Sequence, residues 1–224
     1  MRLATKLALS LALAAVFATG GAAATAAAAK RSATVASLQR ALAEHGFPSG
    51  PIDGRYGPRL AAAVRRFQRS VGLRPDGAAG PVTLSALRRP APHAPFLLAW
   101  PVLAPVGDRF GPRGDRFHAG VDLRAASGTP VIAAGPGVVT WAGARAGGWG
   151  LIVVVKHRDH VRTLYAHLES VAVHVGDTVA GGAFLGRVGA TGDATGPHLH
   201  FEVRVRGAAI DPLGALVPLV SGTS

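Results

Sequence analysis

Two histidines and a glutamate alternate along one segment near the C-terminus of the chain. The sequence PHLHFE at positions 197–202 places a polar side chain at every second position, with apolar residues between them. Because residues two apart on a β-strand point to the same face, His198, His200 and Glu202 are expected to share one face. The alternate positions, from Leu199 to Val205, then form a buried face. Glu202 is placed to hydrogen bond to a metal-bound histidine.

Two further segments carry side chains that can bind or activate a metal ion. His118 and Asp122 are four residues apart in a glycine-containing segment. In the strand predicted over 161–168, the two-residue period puts His167 on the same face as Tyr165 and its apolar neighbours on the other. We therefore expect the polar faces of two strands to meet across a groove.

A mononuclear catalytic zinc ion needs three protein ligands and an open fourth position for water. His118, Asp122 and His200 would supply these ligands for one Zn²⁺ ion per chain. His167 and His198 would then flank the open position, where an imidazole can orient or deprotonate the attacking water. Each segment is a weak signal by itself, so the prediction depends on their conjunction.

The segments that carry these residues belong to a β-rich region from about residue 101 onward. Short apolar runs alternate with Gly-rich turns, which predicts an antiparallel sheet without a convincing helix. Leu151–Val155 is apolar on both faces and is expected to be a central, covered strand. Residues 175–189 resemble a hairpin of lipoyl and biotinyl carriers. A carrier needs an exposed lysine at the hairpin tip, however, and the only lysine of this region, Lys156, ends an apolar strand.

The residues before this region predict a small three-helix module. Apolar residues recur at helical spacing within 36–88, with Gly-rich turns between the helices. Asp53-Gly54 and Asp76-Gly77 form a weak repeat with a 23-residue offset. The positions expected in the core are Leu42, Val64, Phe67 and Leu84, and the positions considered for glycan contact are Tyr56, Arg55 and Arg59.

The ends of the module suggest export and a spacer. Residues 1–29 have the architecture of a signal peptide, with Arg2 and Lys6 before an apolar run and a tail of small residues. The uncharged stretch 7–29 also allows a membrane anchor, but its glycines and Ala/Thr tail favour cleavage, so no stable membrane insertion is expected afterwards. The Pro-rich segment 90–100 is expected to be extended and to hold the two modules apart. The chain has no cysteine, which excludes disulfides and thiol nucleophiles.

Charge is concentrated in the first module. Residues 30–90 hold 11 basic and 3 acidic side chains, a net charge of +8, whereas residues 91–224 hold 11 and 9, a net charge of +2. A concentration of positive charge of this kind attracts polyanions. For an exported protein, an anionic wall polymer or lipid surface is the expected partner, and nucleic acid is not.

The motifs of residues 101–213 resemble those of the M23 peptidase family, the endopeptidases of lysostaphin and LytM type. The matching segments are Phe110–Arg113, His118–Asp122, Tyr165–Leu168 and Thr195–Glu202. The resemblance implies an all-β peptidase domain over 101–224 that includes a lipoyl-like hairpin. It also implies that His118, Asp122 and His200 bind zinc and that His167 and His198 are catalytic.

Residues 30–89 are similar to the peptidoglycan-binding type 1 domain, through segments such as 50–57 and 63–68. The two resemblances together imply a multidomain, secreted or cell-wall zinc endopeptidase that cuts peptide cross-links of bacterial peptidoglycan and also contacts the wall glycan. Two alternatives are a catalytically silent activator of a cell-wall amidase and a protein that only binds the wall. The retained zinc ligands argue against the silent activator.

Overall fold

The computed structural model describes residues 21–114 and 116–218. Its N-terminal part contains three helices. The helices are α1 (Gly21–Glu44), α2 (Pro58–Ser70) and α3 (Pro81–Ala86). Of the signal segment predicted over 1–29, residues 1–20 lie outside the described residues, and the rest begin α1. Among the described residues, no helix has both the length and the apolar character needed to cross a membrane.

The three helices enclose a small apolar core, as predicted. Both α2 and α3 begin at a proline that follows a glycine, a position where the missing N–H of proline costs no hydrogen bond. The buried core residues are Leu38, Leu42, Phe47, Leu60, Ala63, Val64, Phe67, Leu84 and Leu87. The helical period read from the sequence therefore identifies the correct buried faces.

Two buried glutamines hold the two Asp-Gly turns that form the weak repeat. The side-chain amide of Gln39 donates to Asp53 Oδ1 at 2.9 Å, and its carbonyl accepts from the Gly54 N–H at 2.9 Å. Gln68 makes the same pair of bonds with Asp76 Oδ1, at 2.7 Å, and with the N–H of Gly77, at 2.9 Å. The repeat is thus a repeated hydrogen-bonding unit in which a helix fixes the loop that follows it.

Replacing Gln68 with leucine is expected to lower the free energy of unfolding by roughly 1–3 kcal/mol, since it leaves the buried N–H of Gly77 without its partner. Gln68 is 2% exposed and bonds to the Ala78 carbonyl as well as to Gly77. Urea unfolding followed by circular dichroism measures the change. Arg59→Gln, an exposed change in the same helix, is the control. Equal stability of the two variants would contradict this role.

The described part of the β domain contains eleven strands. They are β1 (Gly111–Arg113), β2 (Arg116–His118), β3 (Val121–Leu123), β4 (Pro130–Ile132), β5 (Gly137–Arg145), β6 (Gly150–Lys156), β7 (Val161–Val171), β8 (Thr178–Val179), β9 (Phe184–Val188), β10 (Leu199–Val205) and β11 (Ala208–Ile210). Nine form one sheet with the order β11-β10-β7-β6-β5-β8, in which β3 pairs with β10 and β9 with β4 and β7. All pairs are antiparallel, as predicted, and the described part of this domain has only one short helical turn, Pro212–Gly214.

The lipoyl-like segment, residues 175–189, contributes two strands with different neighbours. Strands β8 and β9 do not pair with one another, because β8 pairs with β5 while β9 pairs with β4 and β7. The link between them is held by Ala133, whose N–H donates to the Ala183 carbonyl and whose carbonyl accepts from the Gly182 N–H. These bonds turn the chain toward β4 instead of back along β8.

The sheet is covered on both faces at its centre. Val153 and Val155 of β6 pack into the main core, while Ile152 and Val154 belong to a smaller cluster on the opposite face. The prediction of a central, covered strand is confirmed. On β10, the alternate residues Leu199, Phe201, Val203 and Val205 all enter the main core, which leaves the opposite face to its polar residues.

Strand β7 departs from the two-residue period. Tyr165 and Leu168, three residues apart, both enter the main core, and the register of β7 with β9 shifts between Leu168 and Ser170. His167 has a left-handed backbone, with φ of 61°. The expectation that His167 shares a face with Tyr165 is therefore wrong. Tyr165 packs against Phe201, whereas His167 lies on the other face, near His198.

The helical module and the β domain are in direct contact. The N–H of Ala209 donates to the Gly46 carbonyl at 3.0 Å, and Ala208 packs into the core of the module. The connector was expected to hold the modules apart, but its apolar residues Phe96 and Trp100 pack against the core of the β domain. Burial of these side chains, which follow the prolines, docks the connector onto the β domain.

Candidate metal centre

Strands β2, β3 and β10 bring three potential metal ligands to one end of the sheet. His118 is the last residue of β2, and Asp122 of β3 lies directly opposite His200 of β10. Gly120 allows this approach, because a Cβ atom there would lie 2.3 Å from the carbonyl oxygen of Phe201. The two residues between β2 and β3, Ala119 and Gly120, thus carry no side chain larger than a methyl group, and the chain can pack closely against β10.

The donor atoms of the three side chains form a nearly equilateral triangle. His118 Nε2 lies 3.0 Å from His200 Nδ1 and 3.1 Å from Asp122 Oδ1, and the distance from His200 Nδ1 to Asp122 Oδ1 is 2.8 Å. Tetrahedral zinc with bonds of about 2.0–2.1 Å separates neighbouring ligands by about 3.3 Å, so the three residues fit such an ion with adjustments of about 0.5 Å or less. Within the described residues, this is the one cluster of its kind that could hold a metal ion.

The far side of each imidazole is also anchored. His118 Nδ1 lies 2.9 Å from the Arg109 carbonyl, and His200 Nε2 lies 3.3 Å from Glu202 Oε1. Glu202 is fully buried and accepts a bond from Arg204 Nε at 2.6 Å. Such partners fix which nitrogen faces the metal. The position proposed for Glu202 from the strand pattern therefore agrees with its geometry.

The carboxylates of Asp122 and Glu202 stabilise positive charge at His200. Burial favours the neutral form of Asp122, but hydrogen bonds from His118 and His200 outweigh it and hold the pKa of Asp122 far below its usual range. Burial would lower the pKa of His200, yet hydrogen bonds to Asp122 and Glu202 raise that pKa to about 9. A metal ion that binds here takes the place of the proton on His200.

Two more histidines lie beside the triangle. The ring centroids of His167 and His198 are 4.8 Å apart, and His198 Nε2 is 3.8 Å from Asp122 Oδ1. Each ring has its Nδ1 at 2.8 Å from a backbone carbonyl, that of Thr191 for His167 and that of Gly196 for His198. If these Nδ1 atoms donate, each Nε2 is left free to accept a proton. Burial lowers the pKa of His167, which favours its neutral, proton-accepting form.

All five histidine and aspartate residues selected from the sequence thus lie together. No role was predicted for Arg113 or Trp149, which also border the site. Arg113 Nη2 lies 3.2 Å from Asp122 Oδ2 and 2.8 Å from Asp108 Oδ2, and the Trp149 ring lies 5.6 Å from that of His200. Arg113 could have been identified from the sequence, because it ends the FGPR segment at 110–113. No sequence pattern identifies Trp149, since its contact with His200 depends on the fold.

A His-Asp-His cluster beside two further imidazoles, on an antiparallel sheet, is an arrangement suited to a metal-dependent hydrolase. The family models define the protein more closely. Residues 116–212 match the model of peptidase family M23, and residues 31–87 match that of a peptidoglycan-binding domain. The chain therefore contains a peptidase family M23 domain, and a peptidoglycan-binding domain precedes it.

Individual relatives resemble the β domain. The chain is 46% identical over 103 residues to the DD-carboxypeptidase/endopeptidase Mpg of Neisseria meningitidis, which covers 46% of this chain and 24% of the relative. It is 38% identical over 119 residues to the peptidoglycan DD-endopeptidase ShyA of Vibrio cholerae, which covers 53% and 26%. The crystal structure of Helicobacter pylori Csd3 superposes with a TM-score of 0.50 and 34% identity, over 55% of this chain and 36% of that one. The match thus spans only 24–36% of each relative's length.

Proposed function

We propose that this protein is a zinc-dependent endopeptidase that hydrolyses peptide cross-links of bacterial peptidoglycan outside the cytoplasm. The observation that carries the proposal is the convergence of five side chains at one end of the sheet. His118, Asp122 and His200 have their donor atoms 2.8–3.1 Å apart, and His167 and His198 lie beside them. Relatives that bear the names of peptidoglycan endopeptidases support the choice of substrate.

The three triangle residues would hold one zinc ion, and the two flanking histidines would perform proton transfer. When bound, the ion would polarise the scissile carbonyl and activate water for attack. His167 and His198 present Nε2 to the reacting groups, where they take the proton of the water, pass it to the leaving amine and stabilise charge that develops on the carbonyl oxygen. Glu202, held by Arg204, keeps His200 in its orientation.

The helical module would direct this chemistry to the wall. We place the signal peptide at 1–29, the peptidoglycan-binding domain at 30–89, the connector at 90–100 and the peptidase domain at 101–224. Exposed parts of the module are available to wall glycan. Among them is Tyr56, which is 46% exposed and whose hydroxyl donates to the Gly77 carbonyl at 2.7 Å. Among cross-links, the bond from D-alanine to diaminopimelate is favoured over polyglycine, in keeping with the DD-endopeptidase names of the relatives.

Digestion of purified sacculi tests this proposal. Zinc-loaded protein is expected to convert cross-linked muropeptide dimers into monomers, as measured by liquid chromatography with mass spectrometry, and the new termini identify the bond. A chelator should stop the reaction, and added zinc should restore it. Persistent dimers in the presence of bound zinc would contradict the proposal, and stimulation of an added amidase under those conditions would favour the activator alternative.

A further inference from the structure

A cleft of about 590 Å³ lies where the helical module meets the β domain, and its charged side chains are basic. The module contributes Phe47 and part of α2 to its wall, and the β domain contributes the ends of β6, β7 and β10. No Asp or Glu lines it. Six cationic side chains do, namely Arg66, Arg69, Lys156, Arg162, Arg204 and Arg206.

Three of these cations form a row across the sheet. Arg204 of β10 lies opposite Arg162 of β7, and Arg162 lies opposite Lys156 of β6. Neighbouring strands are about 4.8 Å apart, so the backbone positions of the three cationic residues are spaced at about that interval over about 10 Å. Like charges placed directly opposite one another on a sheet destabilise it. Because this row of like charges destabilises the sheet, it is a candidate anion-binding site.

Helix α2 adds charge from the facing wall. Burial lowers the pKa of Arg66, and the nearby Arg204 and Arg69 lower that pKa further. Arg66 donates to the Pro48 carbonyl, and Arg204 pairs with Glu202. Among the described residues, no carboxylate lies within ion-pair distance of the other four cations, Arg69, Lys156, Arg162 and Arg206. The cleft therefore holds more positive charge than the protein balances.

We propose that this cleft binds a linear anionic polymer whose negative charges recur along its chain, as in a phosphodiester polymer. A single small anion would contact only part of the row, whereas a polymer strand can lie along it between the two walls. The site is distinct from the metal centre and does not depend on its activity. Arg204 follows His200 by four residues on the same face of β10, so their Cα atoms are about 13 Å apart, at about 3.3 Å per residue, and Glu202 lies between them.

Binding of fluorescently labelled poly(glycerol phosphate) to the full-length protein, measured by anisotropy at low salt, tests the proposal. Arg69→Gln combined with Arg162→Gln is expected to weaken binding at least tenfold. A second cleft pair, Lys156→Gln with Arg206→Gln, should do the same and guards against a folding defect in the first. Neither pair touches the metal centre, and poly(glycerol phosphate) has no peptide bond, so the result is independent of hydrolysis.

The matched control removes the same charge elsewhere. Arg40→Gln combined with Arg74→Gln, exposed residues that do not line the cleft, should weaken binding less than threefold. Equal losses in cleft and control pairs would overturn the proposal, because they would indicate diffuse attraction by net charge. Poly-glutamate in place of the phosphate polymer distinguishes carboxylate from phosphodiester chains, and a preference for the former would overturn the phosphodiester assignment. Binding to phosphatidylglycerol vesicles but not to the polymer would also overturn it and identify a lipid surface instead.

Discussion

Asp122→Ala is expected to abolish both zinc binding and cross-link hydrolysis. Asp122 Oδ1 is one corner of the donor triangle and contacts both His118 and His200. Loss of a mere hydrogen-bond partner of a ligand costs about 10–100-fold in metal affinity or activity, so loss of a ligand should cost at least about 100-fold. Zinc content after dialysis, measured by mass spectrometry of the metal, and the rate of dimer cleavage are the two readouts.

The control for this change is Asp177→Ala, which removes a carboxylate that is 47% exposed and lies outside the cluster. This variant should keep one zinc ion and the parent rate. An Asp122→Ala protein that retains stoichiometric zinc and cleaves dimers would show that the metal is held by other groups, and the proposed ligand set would have to be abandoned.

His198→Ala should separate chemistry from metal binding. His198 Nε2 is 3.8 Å from Asp122 Oδ1, outside the triangle, and its Nδ1 is anchored on the Gly196 carbonyl. A side chain in this position that transfers protons contributes about 10²–10⁴-fold to the rate. We therefore expect kcat to fall by about that factor while zinc content stays at one ion per chain.

His174→Ala provides the comparison, since the His174 side chain is 92% exposed and its ring lies 3.9 Å from Asp177, away from the site. It should behave like the parent. Loss of zinc in His198→Ala would mean that His198 is a ligand, and an unchanged kcat would mean that proton transfer does not need it.

The sequence predicted best what depends on regular local structure. The alternation on β10 was read correctly, because the main core covers one face of the strand along its whole length. That alternation also placed Glu202 beside His200. The helical period likewise identified the buried face of α2, including Val64 and Phe67.

Departures from regular structure could not be predicted in the same way. The prediction of the strand face on which His167 lies was wrong, because its left-handed backbone breaks the two-residue period. No residue type in that segment indicates such a break. The connector was expected to be an independent spacer because of its prolines, although Phe96 and Trp100 decide where it lies. The basic cleft depends on the register of three strands and on the docking of α2, and neither is visible as a local pattern.

The hydrogen bond from the Ala209 N–H to the Gly46 carbonyl helps to cover an edge strand of the peptidase domain. β11 is the outermost strand of its sheet, and all three of its residues are buried. The helical module covers it with the Gly46 carbonyl, which accepts from Ala209, and with the apolar core into which Ala208 packs. An uncovered apolar edge strand is a template for pairing with other chains and promotes aggregation. The module therefore acts as an intramolecular cap, and a peptidase domain cut free of it would expose a surface on which copies could stack.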